Sequence, residues 1–372
     1  MLRAFGPRGR ARSPRAGPAR RPAAADQRLA LPLRAPARTL RDGPHRAHRR
    51  RRGEPRPART RGGAHRPPRR RLPRPRRRPA APPAADPRSH RRRAVNGTVI
   101  AKSHPRDDLL RADRFPHILC PACGIGTVIH CYVDAIARSG KAPEQHACVS
   151  GIGCSGRAAG YVAVDSYHAT HGRAIPFAIG IAVARPELTV TVISGDGDLA
   201  AIGGNHLIHA ARRNIDLRVI CINNFNYGMT GGQAGPTSPR EARTTTTPHG
   251  VHDRPFNLPH LMAAAGAAFV ARWTILHVHP LQDALMRIMD RRGFSFVEVL
   301  SPCPTNFGKM NAIDGGLGEL EAYRRRCRIV DDVSDFDALD VDIVDGASEI
   351  AVGNFVDRDR TPWVGVGEAG GA

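Results

Sequence analysis

The chain has 372 residues and a formal net charge of +24, an average that is typical of nucleic-acid-binding proteins. The average misleads, because residues 1–95 hold 31 Arg, no Lys and four acidic residues (net +27), whereas the remainder holds 26 Lys and Arg against 29 Asp and Glu (net −3). The charge of residues 96–372 therefore excludes a basic nucleic-acid-binding module, and no apolar run approaches the ~20 residues of a membrane span.

Residues 1–95 are predicted to be a disordered extension. Their Arg, Pro, Ala, Gly and His provide too little apolar surface to offset the entropy of ordering. The absence of Lys, the repeated Pro-Arg steps and the lack of any Met between Met1 and Met229 favour a GC-rich upstream region translated from a misplaced start, with a native start near Val95 to Val99. A transit peptide or a basic arm that binds nucleic acid is the alternative.

From Cys120 onward, short β-rich runs alternate with helical stretches, which predicts an α/β fold: a parallel sheet with helices on both faces. In chain order we predict a helix over 126–139, a strand over 146–150, a glycine-rich turn over 151–156, a helix over 174–184, a strand over 188–194, a helix over 199–213, a strand over 217–222, helices over 257–265 and 281–292, and a strand over 296–300. Residues 330–349 are acidic and are predicted to be peripheral. We expect one domain over 96–312 and a C-terminal extension over 313–372.

Two polar motifs directly follow predicted buried strands, Gly195-Asp-Gly-Asp198 after one and Asn223-Asn224 after the next. The carboxyl ends of neighbouring parallel strands meet at one edge of a sheet, so these side chains can come together there. Carboxylate and carboxamide oxygens suit Mg²⁺, and flanking glycines let a diphosphate approach the backbone closely. The spacing resembles the thiamine diphosphate signature, and two unrelated loop turns are the alternative.

Four of the eight Cys lie in predicted loops, where thiolates can converge on a metal: Cys120, Cys123, Cys154 and Cys303. Such a set could hold zinc or an iron–sulfur cluster, and spacing alone does not choose between them. Nothing that resembles a secretory signal precedes these residues, so we expect a cytoplasmic protein without a disulfide framework. Taken singly, each Cys is more often a buried thiol, which fits the other four: Cys131, Cys148, Cys221 and Cys327.

Seven short motifs over 117–310 occur in the order in which they are found in β subunits of 2-oxoacid:ferredoxin oxidoreductases, and the chain resembles that family over nearly all of this range. The motifs are Cys120-Pro-Ala-Cys-Gly124, Ser150-Gly-Ile-Gly-Cys-Ser155, His171-Gly-Arg-Ala174, Gly195-Asp-Gly-Asp198, Gly203-Gly-Asn-His206, Tyr227-Gly-Met-Thr-Gly-Gly-Gln233 and Ser301-Pro-Cys-Pro-Thr305. Two departures are Ala122, where the family usually has Gly, and Ile125, where it often has a polar residue.

The resemblance implies a thiamine-diphosphate-binding fold and a set of ligands. Cys120, Cys123, Cys154 and Cys303 would hold a [4Fe–4S] cluster, while Asp196 and Asn224 would bind Mg²⁺ by their side chains and Asn226 by its backbone carbonyl. The expected contacts of the cofactor are Gly153, Cys154, Ser155, Gly195, Asp196, Gly197, Asp198, Asn224, Asn226, Gly228, Met229 and Thr230.

The implied activity is the oxidative decarboxylation of a 2-oxoacid to an acyl-CoA, with electrons passing through the cluster to ferredoxin. The implied partners are ferredoxin, coenzyme A and an α subunit that supplies a Glu to the cofactor, whereas no membrane is expected and nucleic acid is not favoured. The Gly231-Gly-Gln233 version of the motif is associated with 2-oxoglutarate rather than pyruvate. A cluster-free enzyme of the acetolactate-synthase or decarboxylase type is the competing function, although such chains are usually much longer.

Two further residues are candidates for catalysis. Arg157 follows the turn that carries Cys154, and its guanidinium fork would match the second carboxylate of a dicarboxylate substrate. An exposed or diphosphate-contacting Arg is the alternative. His171 could contact diphosphate or substrate, and a structural histidine is its alternative.

Overall fold

The computed structural model describes residues 104–313, 315–330, 333 and 339–363, so the extension predicted over 1–95 lies outside the described residues. The helices in this part are α1 (Ile125–Arg138), α2 (Ala174–Ala184), α3 (Gly204–Arg213), α4 (Leu258–Ala265), α5 (Val278–Asp290), α6 (Phe307–Met310) and α7 (Gly315–Arg326). The strands are β1 (His146–Ser150), β2 (Asp165–His168), β3 (Thr189–Gly195), β4 (Arg218–Asn223), β5 (Asn226–Tyr227), β6 (Gln233–Ala234), β7 (Phe269–Thr274), β8 (Ser295–Leu300), β9 (Cys327–Ile329) and β10 (Ile350–Asp357).

Eight of the described strands form one sheet in the order β2-β1-β3-β4-β8-β7-β10-β9. Neighbouring strands run parallel except for β10, which pairs antiparallel with β7. β5 and β6 form a separate antiparallel hairpin. The predicted parallel sheet is thus confirmed over six strands, and β10 and β9 are added at one edge in the opposite direction.

Helices cover both faces of the sheet, as predicted. α1 and α5 pack on one face, where Val128 and Leu281 join a core with Ile193 of β3. α2, α3 and α4 pack on the other face, where Val192 of the same strand points. β3 is buried on both faces, although its sequence alternates Thr and Val over residues 189–192.

The helix predicted over 199–213 is two elements. A π-helical turn spans Gly197–Ile202, and α3 begins only at Gly204. Gly203 lies at the junction and donates its N–H to Asp198 O at 3.0 Å. A Cβ at Gly203 would lie 2.5 Å from that carbonyl oxygen, so the close approach at this junction requires glycine.

The prediction that residues 330–349 are peripheral holds for residues 345–349, which are exposed, and is wrong at Leu339 and Ile343. Leu339 and Ile343 are only 1% and 3% exposed, and Arg272 Nη1 donates to Leu339 O at 2.6 Å. Isolated apolar residues anchor this acidic segment in the core, which its average composition does not reveal. The region from 313 onward, expected as an extension, contributes β9 and β10 to the main sheet. Among the described helices, none is both long and apolar enough to cross a membrane.

Candidate functional site

The site lies at one edge of the sheet. β1, β3, β4 and β8 are consecutive parallel neighbours, so their carboxyl ends meet at the same edge. Each of these ends is followed by predicted site residues: Cys154, Asp196, Asn224 and Cys303. Residues scattered over about 150 positions of sequence are therefore brought together by the strand order, as is usual for ligand sites of open α/β sheets.

Asp196 is a buried carboxylate, only 1% exposed, in the loop after β3. Its Oδ2 accepts a hydrogen bond from Thr237 Oγ1 at 2.6 Å, and the carboxylate also accepts the backbone N–H of Asn224. Burial is the largest cause that raises the pKa of Asp196 to about 6. A cation bound at this carboxylate would offset that desolvation, so the environment of Asp196 fits a divalent metal.

Asn224 and Asn226 complete the predicted set of metal ligands. Asn226 Nδ2 donates to Asn224 O at 2.8 Å, and both residues are at least nine-tenths buried. Asn226 Oδ1 lies 3.7 Å from Cys303 Sγ. The predicted metal site and the cysteine group are thus adjacent, with the Asn226 side chain between them.

The four loop cysteines lie near Gly228 and near the loop that follows β8. Cys123 and Cys303 are buried, Cys154 is half-buried and Cys120 is exposed. A Cβ at Gly228 would lie 3.3 Å from Cys303 Sγ and 3.7 Å from Cys154 Sγ, so both sulfurs approach the same glycine. On the exposed side, Thr305 Oγ1 donates to Cys120 Sγ at 3.2 Å.

Neighbouring thiols affect the ionisation of Cys154 and Cys123. The pKa of Cys154 is raised to about 11, mainly by burial and then by the nearby thiols of Cys303, Cys120 and Cys123. Burial also raises the pKa of Cys123, with smaller contributions from Cys120 and Cys303. Holding such a group as thiolates requires a strongly cationic partner, as iron or zinc would be.

The remaining four cysteines are buried or half-buried thiols outside this group. Burial raises the pKa of Cys131 and of Cys148 to about 12, and Cys221 lies fully buried within β4. In the described residues, no three side chains of His, Cys, Asp or Glu are grouped closely enough to hold a single metal ion.

Helix α7 packs over the cysteine loops. A Cβ at Gly316 would lie 3.0 Å from Ala122 Cβ and 3.1 Å from Pro304 Cβ. Ala122 itself has a φ of +63°, in the left-handed region that favours glycine. Glu319 Oε2 accepts the N–H of Cys303 at 3.3 Å, and burial raises the pKa of Glu319 to about 8. No sequence motif marks Glu319, so its place at the site could not be predicted from the sequence.

Asp198, which is expected among the cofactor contacts, accepts several hydrogen bonds from the protein. Its carboxylate accepts the N–H groups of Ile152 and Gly172 at 3.1 and 2.8 Å and the hydroxyl of Ser194 at 2.9 Å. His171 Nδ1 lies 2.6 Å from Asp198 Oδ1. Asp198 therefore ties together the turn after β1, the end of β3 and the His171 loop.

The other predicted cofactor contacts form two groups: closely packed residues near the sheet edge and an exposed segment. Gly153 has a φ of +107°, and the Ser155 hydroxyl lies 3.5 Å from the position of a Cβ at Gly195. A Cβ at Gly197 would lie 2.3 Å from the ring of Tyr227, so that approach requires glycine. Met229 and Thr230 are exposed.

Arg157 lies on the 3₁₀ turn Ser155–Gly160, where its N–H donates to Cys154 O at 3.2 Å and its side chain is exposed. Its backbone is thus tied to the cysteine turn, while its guanidinium is accessible to a ligand or to a partner subunit.

Comparisons with known proteins identify the family of the chain. Residues 151–299 match the family described as thiamine pyrophosphate enzyme, C-terminal TPP binding domain. The chain is 46% identical to 2-oxoglutarate synthase subunit KorB of Methanothermobacter marburgensis, over 70% of this chain and 89% of that protein, and 44% identical to its namesake of Methanocaldococcus jannaschii, over 70% and 95%.

A solved structure of 2-oxoglutarate:ferredoxin oxidoreductase from Magnetococcus marinus, with 2-oxoglutarate, coenzyme A and succinyl-CoA bound, superposes with a TM-score of 0.62 at 31% identity, covering 73% of this chain and 90% of that chain. The fold and the sheet-edge site define a thiamine-diphosphate-binding oxidoreductase. Within that class, the chain belongs to the family of β subunits of 2-oxoacid:ferredoxin oxidoreductases, which confirms the resemblance seen in the sequence. The cluster-free alternative is not favoured.

Proposed function

We propose that the chain is the β subunit of a 2-oxoglutarate:ferredoxin oxidoreductase, which converts the 2-oxoacid to an acyl-CoA and passes electrons to ferredoxin in the cytoplasm. Support comes from relatives named 2-oxoglutarate synthase and from a structural neighbour that binds 2-oxoglutarate, coenzyme A and succinyl-CoA. The Gly231-Gly-Gln233 sequence supports the same substrate class.

Asp196, Asn224 and Asn226 would hold Mg²⁺, and the glycines around them would let a diphosphate approach the backbone. The donor set fits, because a buried carboxylate and two amide groups supply hard oxygen ligands. His171 would lie at the edge of this site, oriented by Asp198. Asp198 would act on the cofactor through the loops that it connects rather than by direct contact.

Cys120, Cys123, Cys154 and Cys303 would hold a [4Fe–4S] cluster. Four loop cysteines could supply one thiolate to each iron of such a cluster. The family resemblance, in which the four matching Cys hold a [4Fe–4S] cluster, favours the cluster over the zinc alternative.

The observation that carries the proposal is the adjacency of the two groups at Asn226 and Gly228. When bound, thiamine diphosphate supplies the electron sink for decarboxylation, and a cluster accepts electrons one at a time. Asn226 contacts both groups of ligands, and the backbone of Gly228 approaches Cys154 and Cys303 without a side chain in the way. Because Asn226 and Gly228 border both ligand groups, electrons would have a short path from the cofactor to the cluster.

The family resemblance implies an α subunit that supplies a Glu to the aminopyrimidine. The described carboxylates near the site have other contacts: Asp198 accepts several protein donors, Glu298 pairs with Arg272, and Glu319 accepts the N–H of Cys303.

The test is metal analysis of the full chain co-produced anaerobically with the α subunit. We expect about four iron atoms per chain and no stoichiometric zinc. Cys154→Ser should lower the iron content and impair ferredoxin reduction, whereas Cys327→Ser, on strand β9, should leave both unchanged. Stoichiometric zinc without iron in the parent, or an equal iron content in the parent and both variants, would contradict the assignment.

A further inference from the structure

A chain of buried hydrogen bonds leads from Asp196 across the sheet. Thr237 Oγ1 lies 2.6 Å from Asp196 Oδ2 and 2.9 Å from Asn223 Oδ1. Asn223 Nδ2 donates to Glu298 Oε1 at 2.8 Å, and Arg272 Nε donates to Glu298 Oε2 at 2.5 Å. All five residues are at most 3% exposed, so water does not compete for these groups.

The charged end of this chain fixes the orientation of the Asn223 amide. Glu298 accepts from Arg272 on one oxygen, so its other oxygen offers only an acceptor to Asn223. The NH₂ group of Asn223 must therefore face Glu298, and its carbonyl oxygen faces Thr237. That oxygen also accepts the N–H of Phe225 at 3.0 Å.

The Thr237 hydroxyl has one proton and two acceptors within reach. Asn223 Oδ1 already accepts a backbone N–H, whereas the Asp196 carboxylate is the stronger acceptor and the closer one. The hydroxyl proton is therefore directed to Asp196 Oδ2. This hydrogen bond fixes the carboxylate on one side and leaves its other lone pairs for a cation.

We propose that Thr237 is a positioning residue of the metal and diphosphate site, oriented by the Asn223–Glu298–Arg272 network. The inference rests on the proposed Mg²⁺ site. Groups that hydrogen-bond a metal-binding carboxylate restrict its orientation, and their loss typically weakens metal binding about 10- to 100-fold. Thr237 lies 41 positions from Asp196 and belongs to none of the motifs identified in the sequence.

The main test compares Thr237→Val with Thr237→Ser in the complex of the full chain with the α subunit. Valine keeps the shape of threonine but removes the donor, while serine keeps the donor. The probe is Mg²⁺, titrated calorimetrically into protein that was freed of metal and contains saturating thiamine diphosphate. We expect Thr237→Val to raise the Kd for Mg²⁺ at least ~10-fold and Thr237→Ser to stay within about threefold of the parent.

A second measurement separates positioning from general stability. If Thr237 only supports the fold, Thr237→Val will lower the unfolding midpoint without changing the Kd, and equal losses in the Val and Ser variants would also overturn the proposal. If the parent complex itself binds no Mg²⁺, the proposed metal site fails instead.

The role of the network is tested by a double-mutant cycle with Glu298→Gln. If Glu298 acts through Thr237, Glu298→Gln should weaken Mg²⁺ binding in the parent but have no further effect in the Thr237→Val background. Additive losses would show that Glu298 acts by another route and would overturn the network part of the proposal. Should Glu298→Gln fail to fold, because it leaves Arg272 buried without its partner, the Thr237 pair still decides the central inference.

Discussion

Asp196 and Asp198 lie two positions apart in one loop, yet their surroundings give them different roles. Asp196 is desolvated, which raises its pKa to about 6 and suits it to a cation. Its donors Thr237 and Asn224 both follow β4, whereas Asp198 accepts hydrogen bonds from Ile152, Gly172 and Ser194. The two carboxylates therefore differ in the elements that they contact: Asp196 contacts the loop after β4, and Asp198 connects the turn after β1 with the His171 loop.

At the scale of single residues, the first prediction concerns substrate choice. Arg157 is tied to the cysteine turn by its backbone and presents an exposed guanidinium, which matches the second carboxylate of 2-oxoglutarate. Arg157→Ala should lower kcat/KM for 2-oxoglutarate at least ~10-fold and leave activity on 2-oxobutyrate nearly unchanged. The control is Arg185→Ala, at the end of α2. An equal loss on both substrates would assign Arg157 to the cofactor or to the fold.

A second residue-scale prediction concerns stability in acid. His146 is fully buried at the start of β1, and burial, assisted by the positive charges of Lys141 and Arg218, lowers its pKa from 6.5 to about 4. Between these two pH values the unfolded chain binds a proton that the folded chain does not. The contribution of neutral His146 is therefore present above pH 6.5 and is lost as the pH falls towards 4, by up to about 3 kcal/mol.

Urea unfolding of His146→Gln between pH 7 and 4.5 checks this prediction. The decline in the free energy of unfolding with acid should become shallower in His146→Gln than in the parent. Replacing the exposed His209 of α3 by Gln should leave the slope unchanged. If the slopes of parent and His146→Gln coincide, His146 does not titrate as inferred.

At the scale of elements, the turn after β1 has no space for a side chain at Gly151. A Cβ at Gly151 would lie 1.9 Å from Asp198 Oδ2 and 2.7 Å from Ser194 Oγ. Gly151→Ala should therefore displace the Asp198 carboxylate and destabilise the protein by about 1–3 kcal/mol, the usual range for overpacking. A Cβ at Gly180, in the middle of α2, would have no neighbouring atom within 4 Å, so Gly180→Ala should be neutral or stabilise by up to about 1 kcal/mol.

The measurement is thermal unfolding, which compares the melting temperatures of Gly151→Ala and Gly180→Ala. The same methyl group is added in each, so a difference in sign isolates the close approach at Gly151 from any general effect of alanine. Equal melting temperatures would show that the turn can relax around the added atom.

Elements with strong periodicity could be predicted from the sequence, and elements defined by distant partners could not. β1 and α2 have the predicted bounds, because their apolar residues and flanking glycines are local signals. β10 was missed, since its place depends on pairing with β7, about 80 positions earlier. The same distinction applies to the site: Asp196, Asn224 and the four loop cysteines carry motifs, whereas Thr237 and Glu319 reach it only through the folded chain.

At the scale of the whole molecule, α2 is unusual in being apolar on every face. Its eleven residues carry no charge, and Phe177, Gly180, Val183 and Ala184 form an exposed outward face. Tyr167 stacks on Phe177 with ring centroids 3.8 Å apart and extends this surface. A helix that is apolar all round is normally buried on both sides, so this face is expected to be covered in the assembly.

We expect the α subunit to cover the α2 face. α2 begins directly after the His171-Gly172 loop, which Asp198 ties to the site, so a subunit seated on α2 would lie close to the proposed cofactor site. Burying an exposed Phe contributes about 1.5–3 kcal/mol, and a buried, unpaired carboxylate at the same position costs at least as much. Phe177→Asp should therefore prevent co-purification with the α subunit while the chain itself remains folded. The matched control is Ile329→Asp, which places the same charge on the exposed side of β9, 60% accessible in the parent. Light scattering coupled to gel filtration measures the outcome: a Phe177→Asp complex as stable as that of the parent, or an equal loss in the control, would show that α2 is not the surface that the partner covers.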